Sequence, residues 1–70
     1  MRKLIFSERK TKSEAARIGM LLVEVNKEAG LGAGYVSRKW GKDNVELETI
    51  NRIADVIGCS PMDLLEEIEV

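Results

Sequence analysis

The stretch from Val45 to Leu65 constrains this chain more than any other, because it carries a helix face, a stop signal and a restart signal in sequence. Leu47, Ile50, Ala54 and Ile57 recur at intervals of three and four, which is one face of a helix. Gly58 follows the last of them, where a left-handed C-cap belongs. Ser60-Pro61-Met62-Asp63 then reads as a second start. Ser60 accepts free amide bonds, Pro61 loses nothing at the first helical position, and Asp63 completes a capping box. The spacing predicts two short helices joined by a tight turn.

Upstream, Thr11-Lys12-Ser13-Glu14 has the form of a capping box with Thr11 as N-cap. Ala15, Ile18, Leu22, Val25 and Ala29 then share one face, and Gly30 closes the run. This segment is either one helix over about 12–29 or two helices broken near Gly19. An unbroken helix leaves Met20 and Val23 off the apolar face, and a break re-aims them. Leu4-Ile5-Phe6 either opens a first helix or forms a short strand against a partner. Leu31-Gly32-Ala33-Gly34 reads as a tight turn between helices. It follows a helix and lacks the Lys-Ser/Thr of a phosphate loop. Tyr35 to Trp40 gives about two helical turns, and Gly41-Lys42-Asp43-Asn44 a further turn. The expected fold is all-α: a compact four- to five-helix bundle, with residues 1–70 as a single domain and no hairpin.

A chain of 70 residues buries a limited core, so a second copy is expected to help stabilise it. Its 44% hydrophobic and 33% charged content fits a folded helical domain rather than a disordered one. No apolar run approaches the roughly 20 residues of a membrane span. Met1 to Phe6 is too short and too soon charged for a signal peptide. The lone Cys59 forms no internal disulfide, in keeping with a reducing cytoplasm, and reads as a small hydrophobe in a turn. With no histidine, one cysteine and no evident carboxylate pair, the common zinc sites are excluded and neither an enzyme nor a cofactor is expected. Net charge is −1 but unevenly spread. Residues 1–42 hold ten Lys/Arg against four acids, and residues 43–70 hold one against eight. That sorting predicts a basic working face and an acidic back.

Taken in order, these motifs resemble the Cro/C1-type helix-turn-helix family of small regulators. Leu47 to Leu65 is similar to its fourth and fifth helices, with Gly-x-Ser-Pro and Asp-Leu-Leu in place. Glu24-Val25, then Ala29-Gly30-Leu31, then Tyr35-Val36-Ser37-Arg38 resembles its second helix, turn and recognition helix. Gly41-Lys42 resembles the Gly-Lys that follows, and the likeness spans about residues 19–68. Three departures stand out. Leu21-Leu22 occupies places where the family carries Ser/Thr-Gln. The turn is Gly32-Ala33-Gly34 where a polar N-cap is common. The segment from Ser37-Arg38 to Gly41 is one residue short.

The resemblance implies a lambda-repressor-like fold and a repressor-type regulator that binds double-stranded DNA as a homodimer. Its recognition helix, around residues 33–40, would enter the major groove. Tyr35, Ser37, Arg38, Lys39 and Lys42 are the implied DNA-binding residues. Arg38 either reads guanine in a bidentate way or sits on phosphate. Lys39 and Lys42 serve phosphates, and Lys27 and Lys12 extend the basic face. Tyr35 is a base or phosphate contact, or else a core residue with its hydroxyl at the surface. Val36 points inward, and Trp40 packs in the core or at a dimer face, or lies on the DNA backbone. The rival expectation is a protein-binding module on the same scaffold, of the antitoxin or phage-inhibitor kind. The altered start of the second helix and the acidic tail Glu66-Glu67-Ile68-Glu69 favour that rival.

Overall fold

The computed structural model describes residues 1–70, the side chain of Ala33 excepted. The elements in chain order are β1 (Arg2–Phe6), α1 (Glu8–Arg17), α2 (Leu22–Glu28), α3 (Ala33–Ser37) and α4 (Leu47–Ile57). A 3-10 turn (Pro61–Leu64) and β2 (Leu65–Glu69) follow. The architecture is mostly helical, but it is neither all-α nor a five-helix bundle: four helices share the chain with a two-stranded sheet. β1 and β2 pair antiparallel, from Arg2 opposite Glu69 to Phe6 opposite Leu65.

The second helix expected after Gly58 is therefore one 3-10 turn that runs into a strand. The start signal works as read: the Asp63 carboxylate accepts the Ser60 N–H at 3.1 Å, and Ser60 Oγ accepts the Met62 N–H at 3.3 Å. What stops the helix is the sequence beyond. Glu66, Glu67 and Glu69 would crowd a helical C-terminus, where the dipole disfavours acids. As a strand they meet cations instead. Arg2 bonds Glu67 at 2.8 Å and reaches Glu69 at 3.4 Å, and Lys10 Nζ donates to the Leu65 carbonyl at 2.6 Å. Leu4-Ile5-Phe6 is thus a strand, paired within its own chain.

The first helix starts at Ser7, not Thr11. Ser7 Oγ accepts the Lys10 N–H at 3.1 Å and donates to Glu66 at 2.8 Å. Thr11 is buried inside the helix, with its hydroxyl donating back to the Ser7 carbonyl at 2.7 Å. Inside the helix, the amides of the next turn are already bonded to helix carbonyls, so none is left for Thr11 to cap. The chain breaks at Gly19, so residues 12–29 form parts of two helices. Gly19 has φ +74, and the amides of Gly19 and Met20 bond back to Ala16 and Ala15. That is a Schellman close, which needs the left-handed conformation glycine supplies cheaply. The break carries Met20 onto the core but leaves Val23 59% exposed.

The core comprises Phe6, Ala15, Val25, Val36, Ile50, Ile53, Ala54, Ile57 and Leu64. α4 delivers four of these, and Gly58 at φ +81 ends it as expected. Leu47 is the exception on its predicted face, being 65% exposed in the first turn of α4. Trp40 belongs to packing: its ring stacks on Phe6 with centroids 4.5 Å apart.

The Ser7–Glu66 contact gives the fold an acid-sensitive joint. The hydrogen bond from Ser7, helped by Arg9, holds the Glu66 carboxyl below its ordinary range. A depressed carboxylate pKa stabilises the fold above the unfolded value, about 4.3, and that stabilisation is lost as pH falls through the folded one. Glu66→Gln is therefore expected to lower the unfolding midpoint near pH 7 and to lower it less near pH 3. Thermal unfolding at both pH values checks this, and an unchanged gap would count against the joint.

Candidate nucleic-acid interface

α2 ends at a second Schellman close, with the amides of Gly30 and Leu31 bonding to Lys27 and Asn26. α3 begins after a four-residue connection and packs on α2, which itself packs on α4. α3 is only five residues long, too short to hold its shape without tertiary contacts. Three contacts fix it and the loop behind it. Val36 is fully buried. The Tyr35 hydroxyl and Thr49 Oγ1 of α4 share a hydrogen bond of 3.1 Å. Phe6 of β1 clamps the following loop: its N–H donates to the Lys42 carbonyl at 2.9 Å, and its carbonyl accepts the Gly41 N–H at 2.8 Å.

The five residues implied by the sequence lie on this α3-to-loop segment, in different states. Tyr35 is half-buried, and its hydroxyl shares a hydrogen bond with Thr49, which ties α3 to α4. Ser37 is exposed, but its hydroxyl donates to the Gly34 carbonyl at 3.1 Å. Arg38 is exposed at the C-cap of α3. Lys39 is half-buried, with its ammonium 5.1 Å from the centre of the Tyr35 ring. Lys42 is exposed in the clamped loop. Sequence reasoning missed Thr49. It lies one turn before the buried Ile53, and that spacing marks it as facing the body of the fold.

The electrostatics sort the cations sharply. Six of the eleven Lys/Arg residues sit in ion pairs: Arg2, Lys3, Arg9, Lys12, Arg17 and Arg52. A seventh, Lys10, is tied to a carbonyl. The remaining four, Lys27, Arg38, Lys39 and Lys42, have no carboxylate partner among the described residues. All four fall between the last turn of α2 and the loop after α3. Lys12, expected to extend the basic face, is paired to Glu8 at 3.8 Å and stands apart from them.

A family model for the Cro/C1-type HTH DNA-binding domain matches residues 14–69. The chain belongs to this family. The matched span takes in α2, the turn, α3 and all four unpaired cations. No curated protein and no solved structure matches the chain. Among the described residues, no helix is long and apolar enough to cross a membrane.

The family's polar start to α2 is replaced here by a different device. Leu21 is the N-cap, and the Glu24 carboxylate accepts its N–H at 2.8 Å. One helix-end donor is thus satisfied internally, and an exposed leucine stands at that corner. Elsewhere, the fold gathers Glu14, Cys59 and Asp63, with ligand atoms within 4.8 Å of one another. Each has a structural explanation. Glu14 pairs with Arg17 at 3.1 Å, Asp63 caps the 3-10 turn, and burial with the two acids pushes the Cys59 thiol pKa up.

Proposed function

We propose that this domain is a sequence-specific, repressor-type transcriptional regulator acting in the cytoplasm, which lays α3 in the major groove of duplex DNA as a homodimer. The observation that carries this reading is the position of the four unpaired cations. A polyanion offers them the countercharge that the chain itself supplies to its other basic side chains. Lys27, Lys39 and Lys42 hold phosphates, and Arg38 points at the groove. Occupying the groove excludes other proteins from the site, which is the repressor-type action. Residues 1–70 act as one domain, with no cofactor and no catalytic role.

The homodimer is supported by spare apolar surface. Phe6 and Met20 are taken up by the core, but Leu4 and Leu47 are 41% and 65% exposed. They line one groove of about 250 Å³ together with Val45, Ile50 and Leu65, with Lys42 and Asp43 also on its wall. A second reading rests on Leu21 and Val23, 67% and 59% exposed at the start of α2. Apolar side chains there suit a protein partner better than a phosphate.

Selection from random duplexes, combined with sedimentation, tests the proposal. The expected result is a two-fold motif with half-sites about one helical turn apart, bound by a dimer. Failure to retain any duplex at low salt would transfer the reading to a protein partner.

A further inference from the structure

We propose that the outer edge of β1 pairs antiparallel with β1 of a second copy, so that two domains share one four-stranded sheet. The inference rests on the homodimer reading above and names its interface.

Alternation along β1 identifies the open groups. At one end the Ser7 N–H donates to the Leu64 carbonyl, and at the other the Met1 carbonyl accepts the Val70 N–H. The main-chain groups of Met1, Lys3, Ile5 and Ser7 therefore face β2. Those of Arg2, Leu4 and Phe6 face the opposite way. Phe6 uses both of its groups on the following loop, donating to Lys42 and accepting from Gly41. The N–H and C=O groups of Arg2 and Leu4 have no main-chain partner among the described residues. Exposed edges are usually blunted by a bulge, a proline or a free charge. β1 has neither bulge nor proline, and its two cations are tied to acids: Arg2 to Glu67 and Glu69, Lys3 to Asp43 at 3.6 Å. With those charges paired, the edge offers little to select a charged peptide. The outer edge of β2 is different, because Lys10 already holds the Leu65 carbonyl there.

The clamp at Phe6 sets the register. Loop 41–42 fills the edge beside Phe6, so a second strand has room only beside Arg2 and Leu4. A two-fold axis at Lys3 sets Arg2 of each copy opposite Leu4 of the other. Each copy then contributes two N–H and two C=O groups, and all of them are used in four hydrogen bonds. An axis at Leu4 would instead drive Arg2 of the second copy onto loop 41–42. The axis at Lys3 also brings the two Leu4 side chains to diagonal positions on one face, about 7–8 Å apart and within reach of each other. Leu4, 41% exposed beside the groove of Val45 and Leu47, gains cover there. One feature opposes the pairing: Lys3 faces Lys3 across the axis, a like-charge pair that Asp43 of each chain offsets. The pairing closes on itself, whereas β1 on β2 of the next copy would propagate without end.

Sedimentation of wild type, Leu4→Pro and Lys3→Thr, with cross-linking in a Cys59→Ala background, tests this. Proline is tolerated on an edge strand where its N–H would face outward. Leu4→Pro is therefore expected to keep the helical circular dichroism while losing two of the four hydrogen bonds, which weakens the dimer about tenfold or more. Lys3→Thr is expected to tighten it about two- to fivefold, by removing the like-charge pair. Lys3→Cys should form a disulfide dimer on adding oxidised glutathione, because a non-hydrogen-bonded pair sets its Cα atoms about 4.5 Å apart. Leu4→Cys, diagonal across the axis, should not. If Leu4→Pro fails to fold, the two cross-linking variants decide. A wild-type dimer that a folded Leu4→Pro leaves intact overturns this interface but keeps the homodimer, as does cross-linking by Leu4→Cys rather than Lys3→Cys. Open-ended polymers overturn it by placing β1 on β2. A wild-type monomer at high micromolar concentration overturns the homodimer reading, and this inference with it.

Discussion

Exchanging Lys27, Lys39 and Lys42 together for glutamine is expected to remove nearly all salt-dependent duplex binding while leaving the fold in place. Each phosphate contact contributes roughly −0.9 to the slope of log K against log salt. Three contacts give a slope of about −2.7 per domain, or a loss of about 40-fold in affinity for each bound domain between 50 and 200 mM salt. The triple variant should show a slope near zero. Lys27 and Lys42 are exposed and unpaired, so their exchange should change stability by no more than about 0.5 kcal/mol each. Lys39 adds the loss of its contact with the Tyr35 ring, of order 0.5–1 kcal/mol. The matching control exchanges Arg2, Lys12 and Arg52, which are already paired. That variant should bind nearly as wild type does. Equal losses in the two triple variants would show net charge, rather than position, to be what matters.

Phe6→Ala is expected to be the most damaging single substitution. Phe6 is fully buried and stacks on Trp40, and its main chain clamps the loop that bears Lys42. Removing a buried phenyl ring costs about 3–5 kcal/mol. Small domains sit near the lower end of the usual 5–15 kcal/mol of total stability. At about 4–8 °C per kcal/mol for a domain of this size, the midpoint should fall by roughly 12 °C or more. Trp40 is the sole tryptophan, so its emission reports the same event as a red shift in the folded baseline. A fall of under about 4 °C would mean that the strand is not part of the cooperative core.

The sequence was most legible where caps and periodicity coincide. Gly58, Gly30 and the Ser60–Asp63 box act as their positions indicate, because cap chemistry is local. Tertiary pairing was not legible. Glu66-Glu67-Ile68-Glu69 has no alternation strong enough to mark a strand, and its pairing with β1, where Arg2 meets Glu67 and Glu69, is a contact between the two ends of the chain. Thr11 and Ser7 both suit an N-cap, and the strand end at Phe6 decides for Ser7.

At the site, segment and residue types were legible, but the state of each side chain was not. Tyr35 and Ser37 carry hydroxyls suited to DNA, yet both are engaged within the fold, by Thr49 of α4 and by the Gly34 carbonyl. The charge balance between the two halves of the chain pointed to a basic face. It overstated that face, since six cations of the first 42 residues are neutralised in place by acids or a carbonyl. Four cations, Lys27, Arg38, Lys39 and Lys42, are left without a carboxylate partner among the described residues.

On the proposed reading, Lys27, Arg38, Lys39 and Lys42 lack a carboxylate partner because DNA is their partner. The most direct measurement is the affinity of the wild-type protein for duplex DNA across salt concentration. Binding at low salt is expected, with a log–log slope of about −2.7 per domain. A slope near zero, or no duplex binding at 50 mM salt, would contradict it.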